Sequence, residues 1–144
     1  MEVRAPETDA EIDACWPVMV QLRPHLPREQ FVARVRDQMQ TGYRLVAAVD
    51  GGEVRAAAGF RCGTSLAWDR FLYVDDLVTD AAVRGRGYGH ALFEWLVGAA
   101  RAAGCTQLHL DSGVQRFEAH RFYLQQRLRI ASHHFRLLLT EREA

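Results

Sequence analysis

No apolar run in this chain approaches the roughly 20 residues that span a bilayer. Residues 1–20 also lack the basic start and continuous apolar stretch of a signal peptide, so neither membrane attachment nor export is expected. Cysteine is scarce. Cys15, Cys62 and Cys105 are scattered and odd in number, which rules out a disulfide framework and suits a reducing, cytoplasmic setting. Charge of one sign is missing too: 18 basic residues balance 18 acidic ones, and bulk electrostatics offers nucleic acid nothing to bind. A polyanionic ligand would have to be held by local charge. There is no internal repeat, low-complexity tract or linker. With 144 residues, 49% apolar and 25% charged, residues 1–144 are expected to form one domain around one core.

The pattern of what is present alternates strands with helices. Val3 to Pro6 reads as a short first strand. Thr8 or Asp9 is placed to cap a helix running to about Leu22, with Glu11 in its acidic first turn. Pro27 precedes a second helix, about Arg28 to Gln40, ended by Gly42. Tyr43 to Val49 is a buried strand, Asp50-Gly-Gly52 a hairpin turn, and Glu53 to about Arg61 its partner. Residues 63–68 read as another turn or loop. A strand from about Phe71 to Thr79 follows, then the clearest helix: Tyr88, Ala91, Leu92, Trp95, Leu96 and Ala99 share one face, and Gly104 closes it. Thr106 to Leu110 alternates as a strand, residues 116–126 read as a helix, and Arg129 to Leu139 as a final apolar strand. This order implies an α/β (α+β) mixed sheet covered by helices on both faces.

Residues 84–89, Arg-Gly-Arg-Gly-Tyr-Gly, lie between a strand and that clearest helix. Alternating glycines let the backbone turn tightly and expose N–H groups. A helix start adds orphan donors and the positive end of its dipole, and two arginines add fixed charge. The combination suits phosphate. No lysine completes a P-loop, and Gly85, Gly87 and Gly89 give G-x-G-x-G rather than the dinucleotide spacing.

The remaining pattern, Arg84-x-x-Gly87-x-Gly89, resembles the coenzyme A pyrophosphate loop of the GCN5-related N-acetyltransferase (GNAT) superfamily, and the element order is similar over nearly the whole chain. The resemblance implies acetyl-CoA as co-substrate, an amine acceptor and direct transfer in a ternary complex. No nucleophile is then required, and none is read from Cys15, Cys62, Cys105 or Ser112. It further implies that Leu77, Val78 and Thr79 pair with the pantetheine arm, one N–H polarising the thioester carbonyl. The sheet would splay between this strand and the next. Arg84, Gly85, Arg86, Gly87, Tyr88 and Gly89, with His90, would hold the pyrophosphate.

Ala119-His-Arg-Phe-Tyr123 resembles the family's later motif, in which a helix tyrosine protonates the leaving thiolate. A phenol with a pKa near 10 is a suitable acid, although Ala119, Phe122 and Tyr123 also make an apolar core patch. The family follows this tyrosine with Gly-Phe, where this chain has Arg127-Leu128. For a general base, Asp75 and Asp76 stand mid-strand, where acids are disfavoured without a task or a partner. Strand neighbours point to opposite faces, so only one is expected in a given cleft; pairing with an arginine is the competing explanation. Glu118 and Asp111 are weaker candidates.

No metal site is expected: His133 and His134 are adjacent in a strand reading, and His109, Asp111 and His120 lack tight ligand spacing. One of His133 and His134 could line the acceptor pocket. The expected acceptor is a small-molecule amine, with a loose similarity to aminoalkylphosphonate acetyltransferases. A protein N-terminus and a non-catalytic acyl-CoA-binding module are the alternatives. Arg28, Arg34 and Arg36 read as a solvated helix face, with anion recognition as the competing role. The apolar final strand offers an edge for a homodimer.

Overall fold

The computed structural model describes residues 1–141, which divide into two compact units, Met1–Leu110 and a second beginning at Asp111. In the first unit the order is β1 (Glu2–Arg4), α1 (Asp9–Asp13), α2 (Trp16–Leu22), α3 (Arg28–Met39), β2 (Arg44–Asp50), β3 (Glu53–Ser65), β4 (Asp69–Thr79), a 3-10 turn (Ala81–Val83), α4 (Tyr88–Ala102) and β5 (Gln107–Leu110). The second unit contains α5 (Phe117–Gln125). The sheet runs β1-β2-β3-β4-β5, antiparallel except for the parallel β4–β5 pair, so it is mixed as expected.

Alternation along β2 builds two cores. Leu45 and Ala47 join Ile12, Val18, Met19, Phe31 and Val35 beneath α1–α3. On the opposite face α4 packs against the strands, with Leu92 and Leu96 fully buried and Trp95 meeting Phe60 edge-on at 5.7 Å. Each such buried leucine contributes about 2 kcal/mol from transfer alone, which fixes the sheet between its two helical layers.

Local chemistry explains most boundaries. Thr8 caps α1 through a reciprocal pair: its hydroxyl accepts from Glu11 N, and the Glu11 carboxylate accepts from Thr8 N. The expected single helix to Leu22 is broken between α1 and α2. Pro17 stands in the first turn of α2, and its ring cannot be accommodated against the carbonyl four residues earlier in a continuous helix. The expected turn or loop at 63–68 is half strand, since β3 continues to Ser65. Gly63 pairs with Phe71, whose ring covers it, and only residues 66–68 turn. Residues 129–139, expected as a strand, have no ladder partner among the described residues. Strand preference depends on a surface to pack against, and Ile130, Phe135, Leu137 and Leu139 are exposed.

Candidate active site

The register between β3 and β4 shifts at one point. Gly59 pairs with Asp76 while its neighbour Phe60 pairs with Val74, which leaves Asp75 as an extra residue. This β-bulge interrupts the alternation and corrects the expectation that only one of the two aspartates could enter a given cleft. Both line the same cavity. Both also have the arginine partner considered for them. Arg61 Nε donates to Asp75 Oδ2 at 3.0 Å, and Arg23 Nε donates to Asp76 Oδ1 at 2.9 Å. Arg23 also donates to the Asp75 carbonyl, and the Tyr43 hydroxyl donates to Asp76 Oδ2 at 2.8 Å.

The two carboxylates are therefore unlike. Asp76 has a donor on each oxygen, whereas Asp75 has one on Oδ2. Burial pushes the Asp75 carboxyl above its ordinary value, against the opposing pull of the Arg61 hydrogen bond and charge. Burial, reinforced by the Asp76 charge, pushes the Tyr43 phenol well up, so it remains a donor. The cavity itself has a volume of about 220 Å³ and is walled by α2, α3 and the segment between them, including His25, Phe31 and Arg34.

At the far end of β4 the chain enters the glycine loop. The ladder with β5 covers Phe71–Val74 and stops there, while the pairing with β3 continues to Thr79. No strand among the described residues pairs with the other edge of 75–79. Leu77 and Val78 have buried side chains, so a ligand there would meet main chain. The loop's start is braced: Gln21 accepts from Ala81 N and donates to Asp80, whose carboxylate caps the 3-10 turn through Ala82 N. Gly85 (φ +80°) and Gly87 (φ +88°) are left-handed, and a Cβ on either would meet nothing within 4 Å. Gly87 is the N-cap of α4 and offers no side chain to its first turn. Tyr88 donates to Asp50 at 2.7 Å, tying this turn to the β2–β3 hairpin. Arg84 and Arg86 are exposed and form no ion pair among the described residues. His90 lies 3.2 Å from Glu94. Open space around left-handed glycines, first-turn N–H groups and two uncommitted guanidinium groups fit a pyrophosphate.

In the second unit Tyr123 is buried and meets Phe122 edge-on at 5.7 Å. Arg127 adopts φ +68°, its N–H bonding Leu124 O, while Leu128 N bonds Tyr123 O. That is a Schellman ending, with arginine in the conformation that the family's glycine suits.

The sequence model of the "Acetyltransferase (GNAT) family" matches residues 7–127. The chain belongs to this family. It is 37% identical to the uncharacterized N-acetyltransferase YhdJ of Bacillus subtilis over 75% of this chain and 77% of that one. It is 35% identical to glucosamine 6-phosphate N-acetyltransferase 1 of Oryza sativa subsp. japonica, over 61% of this chain and 57% of the rice enzyme. A ribosomal-protein-alanine N-acetyltransferase from Brucella melitensis shares the fold, with a TM-score of 0.82 at 13% identity over 96% of this chain and all of that one.

Within this GNAT acetyltransferase, the features that sequence reasoning missed are tertiary. The bulge needs the β3 register to be seen, and the walls of the cavity come from helices distant in sequence. Among the described residues no group of three His, Cys, Asp or Glu side chains is placed to hold a metal. His109 stacks on Trp68 at 3.5 Å, and His134 lies 3.5 Å from Asp111 within the second unit. His133 and His134 fall in the irregular 129–139 segment, so the strand argument about them does not apply. The three thiols are free, and Cys62 and Cys105, distant in sequence, come within 3.9 Å. No helix among the described residues is long and apolar enough to cross a membrane.

Proposed function

We propose that this acetyltransferase uses acetyl-CoA to acetylate a small primary amine by direct transfer in a ternary complex. The observation that carries the reading is the bulge at Asp75. It presents a half-buried carboxylate with one uncommitted oxygen inside a small cavity, on the strand whose far end has an open edge and leads to the glycine loop. Acetyl-CoA, when bound, supplies the thioester acyl group. Arg84, Gly85, Arg86, Gly87, Tyr88, Gly89 and His90 hold its pyrophosphate. The main chain of Leu77, Val78 and Thr79 aligns its pantetheine arm and donates an N–H to the developing oxyanion. Asp75 Oδ1 takes the ammonium proton and frees the nitrogen lone pair. Asp76, held by Tyr43 and Arg23, fixes Arg23 beside the Asp75 main chain and so positions the bulge. As the C–S bond breaks, Tyr123 gives its phenolic proton to the departing thiolate, and the second proton lost by the new amide nitrogen restores the phenol.

The small volume supports a small acceptor, since drug-sized ligands occupy about 300–1,000 Å³, and the named substrate of the rice relative is a small amine. The family match runs across both units, which supports reading 1–144 as one acetyltransferase domain. Free thiols support a cytoplasmic location. The exposed apolar side chains at 130–139 support a homodimer, which sedimentation equilibrium would test; a monomer at all concentrations removes it.

The test is calorimetric titration with acetyl-CoA, CoA and NAD, followed by thiol release with free amines and short peptides. Binding of both coenzyme A species and not NAD, with turnover of amines, is expected. Folded protein that binds no acetyl-CoA overturns the reading. Turnover of peptides alone replaces the small amine with a protein N-terminus.

A further inference from the structure

The three arginines of α3 have different surroundings. Arg28 forks onto Asp13 at 2.9 and 3.3 Å and lies over the Trp16 ring. Arg36 binds Asp9 at 2.9 Å and the Glu7 carbonyl. Arg34, half-buried, lines the cavity and has no ion pair or hydrogen bond among the described residues. The floor opposite is already balanced, because Asp75 is matched by Arg61 and Asp76 by Arg23. The cavity is therefore left with one uncompensated positive charge, and His25 is a further polar group in its lining. A half-buried guanidinium without a partner leaves its donors available to an anion in the cavity. Its planar fork matches a carboxylate or a phosphate.

We propose that the acceptor is a small primary amine carrying an anionic group, carboxylate or phosphate, and that Arg34 binds this group while the amine faces Asp75. The inference rests on the acetyltransferase reading above. A volume of about 220 Å³ suits an amine of this small size.

The experiment compares matched probes: O-phosphoethanolamine against ethanolamine, and β-alanine against propylamine. Thiol release with acetyl-CoA gives kcat and KM, and calorimetry on the CoA-loaded enzyme gives affinity without turnover. At least one anionic probe is expected to show a KM about tenfold or more below its uncharged counterpart, as for a charge-assisted contact. Arg34→Gln should erase that preference through KM with kcat retained, and Arg36→Gln should not. The phosphate and carboxylate arms identify which anion the site takes. Equal KM values within each pair, or a preference that survives Arg34→Gln, overturn the proposal while leaving the acetyltransferase intact. Absence of Arg34-dependent binding to an enzyme that binds CoA overturns it even where no probe turns over. Failure to bind acetyl-CoA removes the parent reading, and this one with it.

Discussion

Tyr43 donates its hydroxyl hydrogen to Asp76 at 2.8 Å by passing over Gly59, where a Cβ would collide with the phenol oxygen. The missing side chain on β3 is what lets a helix-side tyrosine reach a carboxylate on β4. Gly59→Ala should therefore displace Tyr43 and cost about 1–3 kcal/mol in urea denaturation, in the range of an overpacked core. Tyr43→Phe keeps the volume and removes the donor, leaving Asp76 to Arg23 alone; about 1–2 kcal/mol is expected. Wild-type stability in Gly59→Ala would show that the contact is not a tight one.

The raised pKa of Asp75 sets a pH dependence. Burial is the main cause, and the hydrogen bond from Arg61 opposes it. The general-base role proposed for Asp75 requires it to be ionised, so kcat/KM should climb on an acid limb above the ordinary carboxylate range. Arg61→Gln removes the opposing bond and should move that limb to higher pH. For stability the sign is reversed. A folded pKa above the unfolded one stabilises at pH below the unfolded value, and that contribution is lost as pH rises through the folded value. Asp75→Asn should then lower kcat by about 10²–10⁴ without loss of stability at neutral pH. Parallel losses in both would mark Asp75 as structural.

Gly87 has room around it and an unusual backbone, so its role can be separated from packing. A side chain there meets no protein atom but must hold φ +88°. Gly87→Val should weaken acetyl-CoA binding strongly in calorimetry, by strain and by filling the space a phosphate would use. Gly98, inside α4 and also in open space, is the control. Gly98→Ala should stabilise the fold by about 0.5–1 kcal/mol with affinity unchanged. Equal binding by both variants would reduce the loop to a turn.

What could be read in the sequence follows the range of the forces involved. The Thr8 cap, the Asp50–Gly52 hairpin, the glycine loop and the amphipathic α4 depend on neighbours within a few residues, and all were legible. The break at Pro17 was also local, but helical periodicity on both sides masked it. Gly63 reads as a breaker until Phe71 is known to cover it. The bulge at Asp75 and the unpaired Arg34 depend on strand register and helix packing, which no local pattern encodes. Residues 129–139 carry strand composition without a strand partner, and composition cannot supply one. Both aspartates could be singled out from the sequence, but which of their oxygens carry donors could not.

Arg127 shows a local cost that the sequence comparison flagged and the structure locates. It closes α5 at φ +68°, a region that costs an L-residue with a Cβ roughly 1–2 kcal/mol. The two Schellman hydrogen bonds, Arg127 N to Leu124 O and Leu128 N to Tyr123 O, keep it there. Arg127→Gly should relieve that strain while retaining both bonds. Some of the gain returns as entropy of the more flexible unfolded chain. A net gain of about 1 kcal/mol is expected, which raises the melting temperature by about 3 °C in a protein of this size. Because Tyr123 supplies one of the two carbonyls, the same variant tests the catalytic role proposed for Tyr123. A higher melting temperature with kcat retained means the arginine is tolerated strain at a helix end. A higher melting temperature with kcat reduced means the strained turn sets the position of Tyr123, and an unchanged melting temperature removes the strain argument.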